Sequence, residues 1–254
     1  MLSCRTKAGH LAPSLSCIEI LTVLFRDFMK FSETEPQWEE RDRLVFSKGH
    51  GAYGYYVILN RLGIIPDSEL DSFYTPQSSL KGCLVMDRRY MLEASTGALG
   101  HGLPIAVGMA LAMKIRNRQN KIVCVLGDGE MQEGSNFEAL QMIYRHKLNN
   151  LLIIVDGNGL QAMDKVEDVG LDNDKLSEIM SGFVAPSAFF DIDGHDEDAL
   201  KNAFGTFFEG KPDTATIVFC RTVKGKGVEM MENQAKYHFR CPTEDGYNPH
   251  ENCQ

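Results

Sequence analysis

Two polar side chains in this sequence follow apolar segments in a pattern that suits a divalent cation. Asp128 lies in a Gly-Asp-Gly turn directly after the apolar run 122–126, and Asn158 follows a second apolar run at 151–155. Carboxylate and amide oxygens are hard ligands for Mg²⁺, which proteins commonly share with phosphate oxygens. The pattern therefore predicts a magnesium site of the kind that also holds a diphosphate group.

Histidines and glycine-rich loops form a second group of residues that could do chemistry. His50 lies in the loop SKGHG (47–51), while His10 and His238 stand near the two ends of the chain. Histidine titrates near neutral pH and suits proton transfer. A glycine loop before a helix, such as EASTGALGHG (93–102), can bind an anion. Taken singly, each histidine is more often a packing residue, and each glycine loop is a weak signal.

The segment 122–161 contains the elements that must position the two candidate metal ligands. Its apolar runs have strand length and no polar alternation, as expected of strands buried on both faces. Between them, Ser135 and Glu138 have the spacing of a capping box, and apolar residues recur at helical intervals. A strand, a helix and a strand form one βαβ unit. This unit places Asp128 and Asn158 on neighbouring loops at one edge of a sheet, where open α/β sheets bind ligands.

The rest of the chain continues the alternation of helices and strands. A second capping-box spacing, Ser16 and Glu19, opens an amphipathic helix. Further segments read as helices at 53–62, 104–115, 172–180 and 198–208, and as strands at 44–46, 188–192 and 215–220. We therefore predict an α/β fold with an open, mostly parallel sheet and helices on both faces. Residues 1–254 are expected to form a single domain, with a polar tail at 242–254.

Composition and charge exclude several classes of protein. The net charge of −9 argues against a nonspecific nucleic-acid surface or an anionic membrane surface. The seven cysteines are odd in number and form no CxxC pair, which favours a reduced, cytoplasmic protein without a zinc site or a disulfide framework. We also find no signal-peptide pattern and no apolar run of membrane-spanning length.

Several segments of the sequence resemble transketolases and occur in the same order as in that family. They are AGHLAPSLSCIEILTVLF (8–25), DRLVFSKGHGAYGYYVIL (42–59), EASTGALGHGLPIAVGMALA (93–112), GDGEMQEGSNFEAL (127–140) with DGNGLQ (156–161), and RTVKGKGV (221–228) with MENQAKYHFRCP (231–242). The resemblance is to the N-terminal, diphosphate-binding half of transketolase. In some members of the family this half is a separate chain.

The resemblance implies the cofactors and the role of each site residue. Thiamine diphosphate would be the cofactor, held through Mg²⁺ (or Ca²⁺ or Mn²⁺) by Asp128, Asn158 and the Leu160 carbonyl. The resemblance further assigns cofactor contacts to His50, Gly97, Leu99, Gly129, Glu133 and His238. His10, His50 and His238 would also be catalytic, lining the channel to the thiazolium ring. Glu133 and Glu138 would belong to an acidic cluster between paired active sites, and Glu138 alone also reads as a capping residue.

The same resemblance implies a partner subunit. In the family, the glutamate that activates the cofactor comes from the pyrimidine-binding half, and nothing in this sequence stands in for it. We therefore expect a separate C-terminal, pyrimidine-domain subunit, an α2β2 assembly, and no activity of this chain alone. The expected reaction is the transfer of a two-carbon ketol unit, or a related acyl unit, between a ketose-type donor and an aldehyde-type acceptor.

One segment departs from the family, and several residues have more than one interpretation. Gly82-Cys83-Leu84 is the best match to a family Gly-His-Pro whose histidine contacts the donor, so donor use is open. A solvated loop explains Lys224 and Lys226 as well as a role in the site does. Asp156 reads as a strand-end or loop residue. The histidines at 101, 146, 195 and 250 read as structural or surface residues.

Three other functions stay open on the sequence alone. The α-type subunit of a 2-oxo acid dehydrogenase or decarboxylase uses the same metal motif, but it does not account for the SKGHG and EASTG segments. A non-catalytic, cofactor-binding partner subunit is compatible with the missing donor histidine. A nucleotide-binding α/β module without thiamine is the fourth hypothesis.

Overall fold

The fold is organised by one five-stranded parallel sheet. A computed structural model describes residues 10–162, 164–210 and 212–240. The sheet has the order β1-β2-β3-β5-β4, and every neighbouring pair of strands is parallel. The strands are β1 (Arg43–Phe46), β2 (Ile122–Gly127), β3 (Leu151–Gly157), β4 (Phe189–Asp193) and β5 (Thr216–Arg221). The predicted α/β fold with an open parallel sheet is therefore confirmed.

Helices cover both faces of this sheet, in agreement with the prediction. They are α1 (Leu11–Leu15), α2 (Ile18–Val23), α3 (Ala52–Arg61), α4 (Asp67–Asp71), α5 (Gly102–Ile115), α6 (Asp128–Met131), α7 (Gly134–His146), α8 (Val166–Val169), α9 (Asn173–Ser181) and α10 (Glu197–Phe208). The chain continues from α2 into a π-helical turn, Leu24–Phe28. None of the helices that the structure describes is long and apolar enough to cross a membrane.

The central strands are apolar on both faces because each face has its own core. Every residue of β2 and β3 is buried. Val123 and Ile154 pack with α2, α3 and α10, whereas Cys124 and Ile153 pack with α5, α7 and α9. Adjacent side chains of a strand point to opposite faces, so this alternation explains why the two runs show no polar positions.

Two predicted capping boxes are wrong. Helix α2 has Cys17 and helix α7 has Glu133 as N-cap residue, and neither makes a side-chain cap hydrogen bond. The Ser16 hydroxyl instead donates to the Asp156 carboxylate at 2.6 Å, and the Ser135 hydroxyl donates to the Gly100 carbonyl at 2.6 Å. Each hydroxyl therefore donates to a distant acceptor instead of accepting a hydrogen bond from an N–H group in the first turn of its helix, as a capping serine would.

The carboxyl ends of β1, β2, β3 and β5 meet at one edge of the sheet. The loop 47–51 follows β1, Asp128 follows β2, Asn158 follows β3, and the loop 222–227 follows β5. Asp156 is the next-to-last residue of β3 and is paired with Cys220 of β5, which agrees with its interpretation as a strand-end residue rather than a loop residue. The predicted polar tail, 242–254, lies outside the described residues.

Candidate active site

A cavity of about 520 Å³ lies at this edge of the sheet. It is lined by residues from the loops after four strands, from α1 and from the segment that ends at Phe239. Nine of the ten predicted site residues line it: His10, His50, Gly97, Leu99, Asp128, Gly129, Asn158, Leu160 and His238. The structure therefore brings together residues that are far apart in the sequence.

Asp128 is the central acidic group of the cavity. It begins α6 directly after β2, and its carboxylate accepts hydrogen bonds from Gly129 N (2.8 Å), Gly159 N (2.6 Å) and Asn173 Nδ2 (3.1 Å). None of the ion pairs found in the described ranges involves Asp128. Burial and the nearby Asp156 raise the pKa of Asp128 to about 6. A divalent cation would favour the ionised form of such a carboxylate.

Asn158 and the Leu160 carbonyl lie on the loop after β3, next to Asp128. The Asn158 Oδ1 atom accepts a hydrogen bond from Leu160 N at 3.1 Å, and its Nδ2 lies 3.4 Å from Asp156 Oδ2. Among the described residues, no three His, Cys, Asp or Glu side chains converge as a metal cage. The candidate ligand set here instead combines one carboxylate with an amide oxygen and a carbonyl oxygen.

A buried ion pair between Lys48 and Asp156 lies next to the loop that carries Asn158, and it was not predicted from the sequence. The Lys48 ammonium contacts Asp156 Oδ2 and donates to the Pro13 carbonyl (2.9 Å) and the Ser16 hydroxyl (3.3 Å). Thr222 donates its hydroxyl hydrogen to the other Asp156 oxygen. Burial is the largest influence on the pKa of Asp156 and acts to raise it, but the Lys48 charge and the hydrogen bonds from Lys48, Ser16 and Thr222 together lower the pKa. An aspartate inside an otherwise apolar strand is the sequence signal that could have revealed the pair.

Glu130 is a second missed residue, and it joins the two glycine-rich loops. It is buried, accepts hydrogen bonds from the Ser47 hydroxyl and from Gly100 N (3.2 Å), and lines the cavity. The loops lie so close that a Cβ atom on Gly49 would come within 2.5 Å of the Thr96 and Gly97 backbone. Only glycine allows this approach.

Three histidine rings lie together in the lining of the cavity. The ring centroids of His10, His50 and His238 lie 5.3 to 5.9 Å apart in all three pairs. Burial, followed by the charge of Lys224, lowers the pKa of His238 to about 3 and lowers that of His10. Burial and the charge of Lys48 bring the pKa of His50 well below its usual value. All three rings are therefore neutral at neutral pH.

Lys224 belongs to the same side of the cavity and is not the solvated residue that one interpretation predicted. Its side chain is buried, and its ammonium lies within hydrogen-bond distance of the Leu160 carbonyl, the Gln161 carbonyl and His238 Nδ1. Burial and the charge of Lys48 lower its pKa to about 8, so the ammonium is the main form at neutral pH. Lys226, two residues later, is half-buried and does not line the cavity.

Two glycines of the cavity lining pack closely against neighbouring loops. Gly97 has φ +126°, and a Cβ atom there would lie 3.0 Å from Cys83 Sγ. A Cβ atom on Gly129 would lie 2.9 Å from the Gln161 Cβ atom. Leu99 lines the same cavity and is 40% exposed. Cys83 also lines a more open cleft of about 670 Å³, which shares His10 and Phe239 with the cavity.

The structure does not bring Glu133 to the cavity. Glu133 is exposed at the start of α7 and is absent from the cavity lining, although we predicted a cofactor contact for it. The short helix α6 carries the chain away from the cavity between Asp128 and Glu133, which explains the difference. Glu138 is exposed on α7 as well, so an acidic cluster between paired sites stays a prediction about assembly.

The remaining histidines that the structure describes have structural or surface positions. His195 Nε2 accepts a hydrogen bond from Val223 N at 2.8 Å, and its Nδ1 lies 3.1 Å from Glu19. His101 precedes α5, with its Nδ1 2.9 Å from the Leu99 carbonyl, and His146 ends α7. None of these three rings lines the cavity.

We name the two sides of the cavity for their charges. The acidic wall comprises Asp128, Glu130 and Asn158, together with Asp156, which contacts Asn158 but does not itself line the cavity. The basic wall comprises His10, His50, His238 and Lys224. A cation at the acidic wall would meet carboxylates, and an anion at the basic wall would meet the Lys224 ammonium and neutral imidazoles that can donate hydrogen bonds. Mg²⁺ with a diphosphate fits this arrangement, and Gly97 and Gly129 line the same cavity.

Comparisons with known proteins agree with this geometry. The family "Transketolase, thiamine diphosphate binding domain" matches residues 4–248. One of the subunits of apulose-4-phosphate transketolase from Actinobacillus succinogenes is 37% identical, over 93% of this chain and 84% of the relative. The 6-deoxy-6-sulfo-D-fructose transketolase subunit SqwG of a Clostridium species is 34% identical, over 93% and 85%.

A solved transketolase has the same fold over nearly the whole chain. The structure of the Campylobacter jejuni enzyme superimposes with a TM-score of 0.80 and 27% identity, and covers 98% of this chain. This chain spans 41% of the length of that protein. The family match, which extends over most of the sequence, and the cavity at the carboxyl edge of the sheet lead to one conclusion: the chain belongs to the transketolase family and carries its thiamine diphosphate-binding domain.

Proposed function

We propose that this chain is the diphosphate-binding subunit of a two-chain, transketolase-like enzyme that transfers a two-carbon ketol unit between small molecules. The observation that carries the proposal is the convergence of an acidic wall and a basic wall in one cavity, on residues that match the family motifs. Two relatives with most of their length matched are named as single subunits of apulose-4-phosphate transketolases, which supports a division over two chains.

The acidic wall would hold the metal. Asp128 Oδ, Asn158 Oδ1 and the Leu160 carbonyl are hard oxygen donors on adjacent loops, and Mg²⁺ fits such a set, with Ca²⁺ or Mn²⁺ as substitutes. Asn173 donates to the Asp128 carboxylate at 3.1 Å and would fix its orientation. The cofactor would contact the backbone of Gly97, Leu99 and Gly129, and Gly129 would let the diphosphate approach closely.

The basic wall would handle protons and contact the substrate. Thiamine diphosphate supplies the nucleophilic carbon and the electron sink of ketol transfer. The neutral rings of His10, His50 and His238 can each donate one hydrogen bond and accept another, as proton transfer to and from hydroxyl groups requires. The relatives named for apulose 4-phosphate and 6-deoxy-6-sulfo-D-fructose suggest a ketose that carries an anionic group.

The partner would be a separate pyrimidine-domain subunit, with two such pairs forming an α2β2 enzyme. We expect the chain to bind thiamine diphosphate with Mg²⁺ but to show no turnover until that subunit supplies the activating glutamate. The exposed Leu99, Ile105 and Met142 side chains are available for contacts in such an assembly. A cytoplasmic location is part of the same proposal.

Calorimetry and reconstitution test the proposal. The purified chain is titrated with thiamine diphosphate in the presence and absence of Mg²⁺, with NAD and ATP as control ligands. Ketol transfer is then measured with the chain alone and with the candidate partner, on phosphorylated ketoses and on pyruvate. Metal-dependent binding of thiamine diphosphate and turnover of a ketose by the pair alone are expected. Full turnover by the isolated chain, or turnover of pyruvate only, would contradict the proposal.

A further inference from the structure

The ammonium of Lys224 joins two parts of the cavity that are separate in the sequence. It lies 3.2 Å from the Leu160 carbonyl oxygen, 3.0 Å from the Gln161 carbonyl oxygen and 2.9 Å from His238 Nδ1. The side chain is 1% exposed. An ammonium group has three N–H donors and no acceptor, so these three contacts use all of its hydrogen-bonding capacity.

The contact with His238 determines where that imidazole carries its proton. Because the ammonium can only donate, the Nδ1 atom must accept and therefore has no hydrogen. A neutral imidazole with a bare Nδ1 carries its hydrogen on Nε2. We propose that Lys224 is a positioning residue that holds His238 as the Nε2–H tautomer and ties this ring to the loop of Leu160.

Backbone hydrogen bonds extend this connection to a second histidine. The carbonyl of His238 accepts a hydrogen bond from His10 N at 2.9 Å. Gly225 N, next to Lys224, donates to the Ala12 carbonyl at 3.1 Å, and the Lys224 carbonyl accepts from Asn233 N at 3.0 Å. A shift of Lys224 would therefore disturb two histidines of the basic wall together with the loop that carries Leu160.

The two buried lysines of the site differ in a way that supports this role. Lys48 contacts the carboxylate of Asp156, so its ammonium has a direct counter-ion. The contacts of Lys224 found in the described part of the chain are two carbonyl oxygens and an imidazole nitrogen, all of them neutral acceptors. Hydrogen bonds from an ammonium to fixed neutral acceptors are charge-assisted and hold the two partners in place, which matches a positioning function.

The tautomer can be observed directly by NMR. The full 254-residue chain is labelled with ¹⁵N-histidine, and long-range ¹H–¹⁵N correlations are recorded at neutral pH, with His238→Gln to assign the ring. We expect the Nδ1 signal of an unprotonated nitrogen and the Nε2 signal of a protonated one. A proton on Nδ1, or averaged signals from both tautomers, would overturn the proposal.

Three variants separate positioning from a general structural effect. Lys224→Met keeps the length of the side chain but donates nothing, so the His238 signals should average or shift towards the other tautomer. Lys224→Arg retains a donor-only group and should keep the wild-type pattern. Lys226→Met, in the same loop but outside the cavity, is the matched control and should leave the signals unchanged. If Lys224→Met shows the wild-type pattern, Lys224 does not set the tautomer.

The catalytic consequence rests on the proposed function and is measured separately. In the assembled pair, Lys224→Met should lower kcat by about 10- to 100-fold, as removal of supporting groups commonly does, while Lys226→Met should not. If Lys224→Met fails to fold, the wild-type tautomer and the Lys224→Arg spectrum still decide the inference. The NMR measurement uses the chain without cofactor, so a failure of ketol transfer would contradict the proposed function and leave the tautomer result intact.

Discussion

The acidic and basic walls belong to a single cavity, but they are built in different ways. Asp128, Asp156 and Asn158 lie at the ends of two adjacent central strands, and backbone N–H groups hold the Asp128 carboxylate. The basic wall takes His10 and His238 from opposite ends of the described chain. One wall is thus an extension of the sheet, and the other is assembled from separate loops.

The electrostatic consequences of burial also have opposite signs on the two walls. Burial raises the pKa of Asp128 to about 6, whereas it lowers the pKa of Lys224 to about 8 and that of His238 to about 3. In each case the charged form is disfavoured, since water is partly excluded. A cation near Asp128 and an anion near Lys224 would each stabilise the charged form that burial disfavours. This is the reason that a metal and a diphosphate fit the cavity together.

The largest expected effect is on the unfolding free energy, and it tests whether the ion pair between Lys48 and Asp156 stabilises the fold. Asp156→Asn leaves Lys48 buried without its counter-ion, and loss of one partner of such a pair costs about 3–5 kcal/mol of unfolding free energy. The measurement is denaturant unfolding of the purified chain. Asp191→Asn, which breaks the more exposed pair with Arg221, is the control and should cost at most about 1 kcal/mol.

A double variant sharpens this result. Lys48→Met combined with Asp156→Leu removes both charges and should recover much of the loss, because apolar residues of similar size commonly replace a buried ion pair without cost. If Asp156→Asn is no less stable than the Asp191→Asn control, the pair does not support the wall. The acidic wall would then contribute no more to the unfolding free energy than an exposed ion pair does.

The second prediction separates ligand binding from stability within the acidic wall. Asp128→Asn removes the charge but keeps the shape of the side chain. We expect the Mg²⁺-dependent affinity for thiamine diphosphate to fall by at least about 100-fold, since changes to supporting groups alone cost about 10- to 100-fold. The unfolding free energy should change by no more than about 1–2 kcal/mol, because no core cavity is created. Calorimetry and denaturant unfolding measure the two quantities.

The matched control for this variant is Asp168→Asn, an exposed aspartate on α8. It should leave both the affinity and the stability unchanged. If Asp128→Asn binds thiamine diphosphate as tightly as the parent in the presence of Mg²⁺, Asp128 is not a metal ligand. The acidic wall would then have only a structural role.

The two walls also differ in how far the sequence could predict them. Asp128 and Asn158 follow strands that local apolar runs identify, so their proximity was predictable from one βαβ unit. The convergence of His10, His50 and His238 depends on tertiary packing of distant segments, and here only the resemblance to a family placed them together. The fold class was predictable for the same reason as the acidic wall, because each central strand is visible as an uninterrupted apolar run.

The residues that sequence reasoning missed have contacts that no local pattern contains. Lys48 and Asp156 are 108 residues apart, and their ion pair exists only because β1 and β3 end at the same edge. The local pattern predicts that the Ser16 hydroxyl accepts a hydrogen bond from the helix backbone, but in the fold it donates to the Asp156 carboxylate, which is 140 residues away in the sequence. Lys224 looks like part of a solvated basic loop until packing against the loop of Leu160 buries it.

The third prediction concerns the response of the basic wall to acid. His238 has a folded-state pKa of about 3 and an ordinary value of 6.5, so below pH 6.5 the unfolded chain takes up a proton that the folded chain does not. The stability contributed by the neutral ring is complete above pH 6.5 and is lost as the pH falls towards 3. The unfolding free energy should fall by about 1–2 kcal/mol between about pH 7 and pH 4, a value that allows for screening by solvent.

The measurement compares the parent with His238→Gln, which cannot titrate in this range. Denaturant unfolding at both pH values gives the difference for each protein, so any change in stability that is common to both pH values cancels. The variant should lose less stability on acidification than the parent does. Equal losses would show that His238 is not buried as a neutral ring. The effect of burial on the pKa would then be supported for Asp128 but not for His238.

The smallest effect concerns Cys83, which lies where the resemblance to the family predicts a histidine that contacts the donor. Cys83 lines both the cavity and the adjoining cleft, and burial raises the pKa of its thiol, so it stays uncharged at neutral pH. A thiol is a weaker hydrogen-bond partner than an imidazole. In the assembled enzyme, Cys83→His should therefore raise kcat/KM for donors with a hydroxyl in reach by up to about tenfold, the value of one hydrogen bond of about 0.5–1.5 kcal/mol.

The control variant is Cys83→Ser, which keeps the size of the side chain and adds a stronger hydrogen-bonding group. Both variants are compared with the parent over a panel of ketose donors, including phosphorylated and sulfonated ones. Serine should shift the donor ranking in the same direction as histidine but by less. Because Cys83 Sγ lies next to Gly97, a general loss of activity with all donors in Cys83→His would indicate a clash with the cofactor loop. An unchanged ranking in both variants would place Cys83 outside the substrate path, and the basic side of the cavity would then discriminate donors through its histidines alone.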